Sequence, residues 1–437
     1  MSVLGRLRGY TEVSLLYERK AMQVITEEEY PTLSLEERDR RWTATKVLLE
    51  RLGLEALLVF GMRSREQWEH YLANESNNGI VLFPLTSEPR YLVFNASRAF
   101  PREEIDNVMR NSPWISDVRW GDYALHIVEF LRERQLANKR IGVVGLRSQG
   151  PAEEDGIIPQ RLWEKIQSEL PLCEFQDISR EYALLMLSKS TEELALVRKG
   201  AAIGEAACRA MLNCCKSGVM ETHIYSEILH SIHSQGATTV PPHLLFSVGK
   251  EHMGHAPPHW FFPRSAPRSV ENGDIVIAEI FSVYGGIETQ QQMTVCVGEV
   301  SRTVRQLAKV ARLSYEAGLN TLSPGVTFGE VYRSMQAPIL EEGCWHLGPV
   351  VHSMGPIVLT SAMLAGAIDW SSMRWKYNDI ESVAGTGDDV VIQEGMVFEL
   401  EPSPARGKER VTVGGTIVVT ASGVEELNEI STRVHFT

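Results

Sequence analysis

The chain has 437 residues, of which 43% are apolar and 23% charged, a balance that supports a large buried core and roughly two to three domains. Its net charge of −13 is spread along the chain. That distribution excludes the clustered Lys and Arg that nucleic acid or an anionic membrane surface requires. No apolar run approaches the roughly 20 residues of a membrane helix.

The first 30 residues include Arg6, Arg8, Glu12, Glu18, Arg19 and Lys20, with no apolar signal core. Six cysteines occur without a CxxC spacing, which reads as reduced thiols in a cytoplasmic protein. The adjacent Cys214 and Cys215 read as packing residues on a helix. Ser34 and Glu37 have capping-box spacing and Gly53 follows as a C-terminal cap, so a helix is predicted between them. Apolar runs at 54–60, 79–83, 91–94 and 141–146 read as strands, with helices near 123–136 and 159–169. This alternation predicts an N-terminal α/β domain over residues 1–186. Ser190 and Glu193 form a second capping box, opening a helix to about 215 with Gly218 beyond it. Residues 187–437 read as a second, α+β domain with antiparallel strands.

Four segments of that second half carry polar groups in strand-like surroundings. Gly273-Asp274-Ile275-Val276-Ile277-Ala278-Glu279 is an apolar strand ending in a carboxylate. After the Gly285-Gly286 turn, Ile287 to Val295 forms the return strand of a hairpin. Side chains alternate along it, so Glu288, Gln290 and Gln292 share one face. That face is either a pocket wall or a solvated sheet surface. The third segment holds His346 and His352-Ser353-Met354-Gly355. The fourth is Gly395-Met396-Val397-Phe398-Glu399-Leu400-Glu401-Pro402, followed by Gly414-Gly415-Thr416-Ile417-Val418-Val419-Thr420.

In this order the four segments resemble the creatinase/aminopeptidase P/prolidase family, the pita-bread fold. The resemblance implies a creatinase-like α/β N-terminal domain, a pita-bread catalytic domain and a homodimer. In that family two Asp, one His and two Glu bind two divalent ions. The matching positions here are Glu279, Gln290, His352, Glu401 and Gly414. Two divalent ions held close together need bridging carboxylates to offset their repulsion. The resemblance puts those bridges at Gln290 and Gly414, where this chain has none. The expectation is therefore a site without metal or other cofactor. A mononuclear site of Glu279, His352 and Glu401 is the alternative by ligand type.

Creatinase, a member of this family, hydrolyses a C–N bond without metal, using a histidine upstream of the Gly-Asp strand. The matching Pro-His step here is Pro258-His259, with His255 as second candidate. A neutral histidine near pH 7 can take and return a proton. The resemblance thus implies a small amino-acid-like or amide substrate, cleaved by hydrolysis or elimination. His259 or His255 is the expected acid/base. Glu401 and Glu279 are expected to hold a cationic group of the substrate or orient a water, and His352 to supply a further polar contact or proton. Glu288, Gln290, Gln292 and Trp260 are expected to line the substrate. The spacing of His252, His255 and His259 also admits a zinc site. Two other readings remain: a non-catalytic binding protein of this fold, and an aminopeptidase or prolidase with altered ligands.

Overall fold

The computed structural model describes residues 30–61, 68–75, 78–94, 96, 113–147, 156–252, 256–261, 265–366 and 383–437. Its first helix, α1 (Leu35–Leu52), starts where the capping signal lies. Ser34 Oγ accepts the Glu37 N–H at 3.1 Å, and Gly53 closes the helix with φ at 66°. Only half of the expected box forms. The Glu37 carboxylate binds Arg40 and Arg41 at 2.7 Å, and the Ser34 N–H donates to Glu192 instead. Two cations beside a carboxylate outcompete one backbone donor.

The apolar runs become β1 (Ala56–Phe60), β2 (Gly79–Pro84), β3 (Arg90–Val93), β4 (Asp117–Arg119), β5 (Arg140–Val144) and β6 (Glu174–Asp177). They form one sheet in the order β4-β3-β2-β1-β5-β6. Helices α2 (Tyr123–Glu133) and α3 (Gln160–Glu169) fall where the sequence places them. Ala124, Ile127, Val128 and Leu131 on α2 pack with Leu58, Ile80 and Ile141 of the sheet.

Helix α4 (Thr191–Cys214) opens with both halves of its capping box formed. Glu193 there also receives Arg40 and Arg41 of α1 at 2.9 and 3.0 Å. After α5 (Glu221–His233) come β7 (Leu244–Gly249), β8 (Ile275–Tyr284) and β9 (Ile287–Cys296). Gly285 and Gly286 turn the β8–β9 hairpin with φ of 59° and 77°, a left-handed pair that favours glycine. Helices α6 (Arg302–Thr321) and α7 (Phe328–Glu341) follow, then β10 (Val351–Ser353), β11 (Val397–Leu400) and β12 (Gly414–Thr420).

These strands form a second sheet, ordered β10-β11-β12-β9-β8-β7 with every pair antiparallel. Helix α4 covers one face of β9. A Cβ on Gly200 would meet Thr289 at 3.2 Å, and one on Gly204 would collide with the Gln291 side chain. Because side chains alternate, Glu288, Gln290 and Gln292 are turned to the other face. Residues Thr32–Thr437 pack as a single compact unit. Among the described residues no helix is long and apolar enough to cross a membrane.

Candidate functional site

Directly opposed residues of an antiparallel pair share a face, so the register assembles the site. Glu279 opposes Gln292, and Gln292 opposes Gly414. Leu400 opposes Gly415, which puts Glu401 beside Gly414 and completes one row. The second row runs Phe281, Gln290, Thr416, Glu399, His352. Residues two apart on a strand lie on the same face, so both rows face the same way. Gln290, Gln292, His352 and Glu401 are all at most 5% exposed. The polar face of β9 is therefore a buried wall rather than a solvated surface. Glu279 and Glu288 are half-buried and mark its accessible side.

Gly414 makes the first row possible. Gln292 Nε2 reaches past it to donate to Glu401 Oε2 at 2.6 Å. A Cβ at 414 would lie 2.5 Å from the Leu400 carbonyl oxygen, 2.8 Å from Glu399 Oε1 and 2.9 Å from Gln292 Cγ. No side chain fits there without displacing all three.

His352 closes the network. Its Nδ1 lies 2.9 Å from the Ser353 carbonyl oxygen, and its Nε2 lies 3.2 Å from Gln290 Oε1 and 3.4 Å from Glu401 Oε1. Gln290 Nε2 donates to Glu288 Oε1 at 2.6 Å, which turns the amide oxygen toward the histidine. Both ring nitrogens thus face acceptors. Which nitrogen donates depends on the tautomer, and the Nε2 contact with Glu401 is an ion pair when the ring is protonated.

Two further residues belong here that sequence reasoning missed. Glu399 is fully buried. Its Oε2 accepts from Thr416 Oγ1 at 3.4 Å, and among the described residues its Oε1 has no hydrogen-bond partner. Burial above all, and then the charges of Glu401 and Glu279, push its carboxyl well above the usual carboxylate range. A signal existed: Glu399 sits two residues from Glu401 in an apolar strand. Arg410 is also fully buried, with Nε donating to the His252 carbonyl at 3.2 Å. Burial pushes its guanidinium down to about 10, and the charges of Glu279 and Glu401 act against that shift. Nothing in Glu409-Arg410-Val411 marks it out beforehand.

The described part of the upstream histidine segment lies elsewhere. His259 stands on a short 3-10 turn, His259–Phe261, with its Nε2 3.5 Å from Glu221 Oε1. Trp260 packs edge-on against Phe246 and Tyr225 at ring distances of 5.9 and 6.0 Å. Phe246 opposes Ala278, one residue from Glu279, so its side chain is on the opposite face of the sheet from Glu279. The structure therefore does not bring His259 and Trp260 to the two rows. His255 lies outside the described residues. His252 gives no support to the zinc spacing. Its Nδ1 is 2.9 Å from Ser247 Oγ and its Nε2 is 2.9 Å from the Gly249 carbonyl oxygen. Burial pushes its imidazole down to about 4.

The residues present do not fit a pair of divalent ions. One oxygen of Glu401 accepts an amide hydrogen and the other faces an imidazole nitrogen. Gln290 supplies a neutral oxygen already facing His352, and Gly414 supplies none. Among the described residues, no three His, Cys, Asp or Glu side chains are arranged to hold a metal ion.

The profile of metallopeptidase family M24 matches residues 195–421, just over half of the chain and all of both rows. The chain belongs to family M24. Creatinase from Bacillus sp. (strain B-0618) is 23% identical over 432 residues, covering 96% of this chain and 97% of that one. An Xaa-Pro dipeptidase from Lactobacillus delbrueckii subsp. lactis is 23% identical over 242 residues, 55% of this chain and 59% of that one. Among solved structures, X-Pro aminopeptidase from Thermotoga maritima MSB8 superposes with a TM-score of 0.69 at 17% identity, over 91% of this chain and 99% of that one. Xaa-Pro dipeptidase from Bacillus anthracis gives 0.67 at 18% identity, over 92% and 100%. The architecture is the M24 pita-bread fold with an α/β domain before it, as the sequence implies. The M24 fold is kept, and on it Gln292, Glu401, His352 and Gln290 contact one another in turn.

Proposed function

We propose that this M24 chain is a metal-independent hydrolase of the creatinase type, cleaving a C–N bond in a small amino-acid-like or amide substrate. One observation carries the reading: Glu401, His352 and Gln290, at positions where the resemblance puts ion ligands, are joined to one another and, through Gln292, to the next strand by a chain of polar contacts. The similarity to a creatinase across 96% of the chain supports it.

In this reading Glu401 is the base. It takes a proton from a water whose oxygen bonds to the substrate's carbonyl or amidine carbon. The C–N bond then breaks, its electron pair stays on nitrogen, and that nitrogen takes the proton from Glu401. His352 holds Glu401 in place and offsets its charge, and Gln292 fixes the other oxygen. Glu279 and Glu288, half-exposed, contact the substrate. The proton is carried by the buried Glu401–His352 pair rather than by His259, which lies with Glu221.

The test is amine release from a panel of N-acyl amino acids, ureido acids and prolyl dipeptides in EDTA, repeated with Mn²⁺. Turnover in EDTA is expected, with at least a hundredfold loss in Glu401→Gln and His352→Ala and near-normal turnover in His259→Ala. Turnover that appears only with Mn²⁺, or that survives both substitutions at the rows, contradicts the reading.

A further inference from the structure

His352 stands on a short strand. β10 spans only Val351–Ser353 and lies at the end of the strand order, beside β11. A three-residue edge strand makes few ladder bonds of its own, so its position depends on what fastens its ends. One end of the β10–β11 ladder is closed by Glu401, whose N–H donates to the Val350 carbonyl at 2.8 Å. The other end, where Gly355 and Gly395 emerge, meets Lys189. The Lys189 N–H donates to the Gly395 carbonyl at 2.9 Å. Its ammonium donates to the carbonyls of Gly355 and Met186 at 2.6 Å and of Leu187 at 3.1 Å. An ammonium has three hydrogens, and three carbonyls receive them. Lys189 is 8% exposed, so these charge-assisted bonds form away from water. A Cβ at Gly395 would lie 2.8 Å from the Lys189 carbonyl oxygen, so this approach needs the glycine. Between Gly355 and His352 the chain is tied to itself. Ser353 Oγ donates to the Pro356 carbonyl at 2.7 Å and accepts the N–H groups of Val358 and Leu359 at 3.1 Å. The Ser353 carbonyl is in turn the group that faces His352 Nδ1.

We propose that Lys189 is a positioning residue for His352: it clamps the end of the β10–β11 ladder and so holds the imidazole against Glu401. The inference rests on the reading above, in which Glu401 and His352 act as a pair. It extends that pair's support to a residue 166 positions before Gly355, in the segment that leads from the α/β domain into α4. The ammonium joins the carbonyls of that segment, Met186 and Leu187, to the turn that follows the histidine. A shift of the segment is therefore passed to His352 through a single side chain.

Lys189→Met keeps most of the stem and removes the three donors. The test uses the full chain labelled with ¹⁵N-histidine, the ring resonances of His352 and His435 being identified by their loss in His352→Gln and His435→Gln. In Lys189→Met the His352 resonances are expected to move, while those of His435, whose ring meets the Ile430 carbonyl at 2.7 Å, stay. If the His352 resonances stay, or if both sets move together as in a general loosening, the assignment is overturned. On a substrate that wild type turns over in EDTA, Lys189→Met is expected to lower kcat about tenfold or more with KM within about twofold. An unchanged kcat, or a loss confined to KM, contradicts it. Should Lys189→Met not fold, Lys189→Gln, which keeps two N–H donors on a shorter stem, is put through the same two measurements. A wild type that turns over nothing in EDTA defeats the metal-free reading instead, and the His352 resonances still decide the clamp, so the two failures are distinguishable.

Discussion

At the scale of single residues, Gly414 shows how a position without a side chain shapes a site. No hole is left at 414 on β12, because Glu399 and Gln292 occupy the space. Gly414→Ala is therefore expected to destabilise by about 1–3 kcal/mol through overpacking, measured as a lower denaturation midpoint. The 2.5 Å approach to the Leu400 carbonyl means that trimming Glu399 to Ser restores only part of that loss. A second residue makes a statement about pH. Glu69 in the α/β domain is fully buried, and one carboxylate oxygen accepts the Gly79 N–H at 3.0 Å while the other has no hydrogen-bond partner among the described residues. Burial pushes its carboxyl up to about 8. A group raised in the folded state gives stability that is complete below its unfolded value, about 4.3, and is lost as pH rises through about 8. Glu69→Gln should consequently gain on wild type as pH rises from 5 to 8, in parallel melting curves. A constant difference across that range would show that Glu69 is ionised in the fold.

At the scale of elements, most of the architecture was legible because local signals and packing agree. The Ser190–Glu193 capping box predicts the start of α4, and the glycine pair predicts the β8–β9 hairpin. The alternation of Glu288, Gln290 and Gln292 correctly puts them on one face. It could not say whether that face is wet, because this depends on β10, β11 and β12, which come from 60 to 130 residues further along the chain. For the same reason the burial of Arg410 was invisible: it depends on segments distant in the chain, among them the one whose His252 carbonyl accepts its Nε hydrogen. His259 was chosen by likeness of sequence, and the turn that carries it packs against α5 and Phe246 instead. The glycines of α4 have a role that the capping pattern does not disclose. Gly204→Ala is expected to cost about 1–3 kcal/mol, since its Cβ would enter the Gln291 side chain and lever the helix away from β9. Urea denaturation should show a lower midpoint at unchanged slope. An unchanged midpoint would mean that α4 does not hold β9 as closely as the structure shows.

At the scale of the whole molecule, the chain keeps the M24 fold over nine-tenths of its length and changes the charge balance at the fold's centre. Glu401 faces His352, burial pushes the Glu399 carboxyl well above the usual carboxylate range, and Gln290 and Gly414 stand at the positions where the resemblance puts bridging carboxylates. The result is a site that satisfies its own charges. This is why its buried polar groups persist in place of an apolar filling, and why the proposed chemistry runs on proton transfer at Glu401. The account stands or falls on that self-sufficiency. The direct measurement is the metal content of the protein purified without chelator, by elemental mass spectrometry after dialysis against Mn²⁺. The prediction is far less than one ion per chain, with a denaturation midpoint unchanged by Mn²⁺. One or two tightly held ions per chain, removable only by chelation and raising the midpoint, would contradict it.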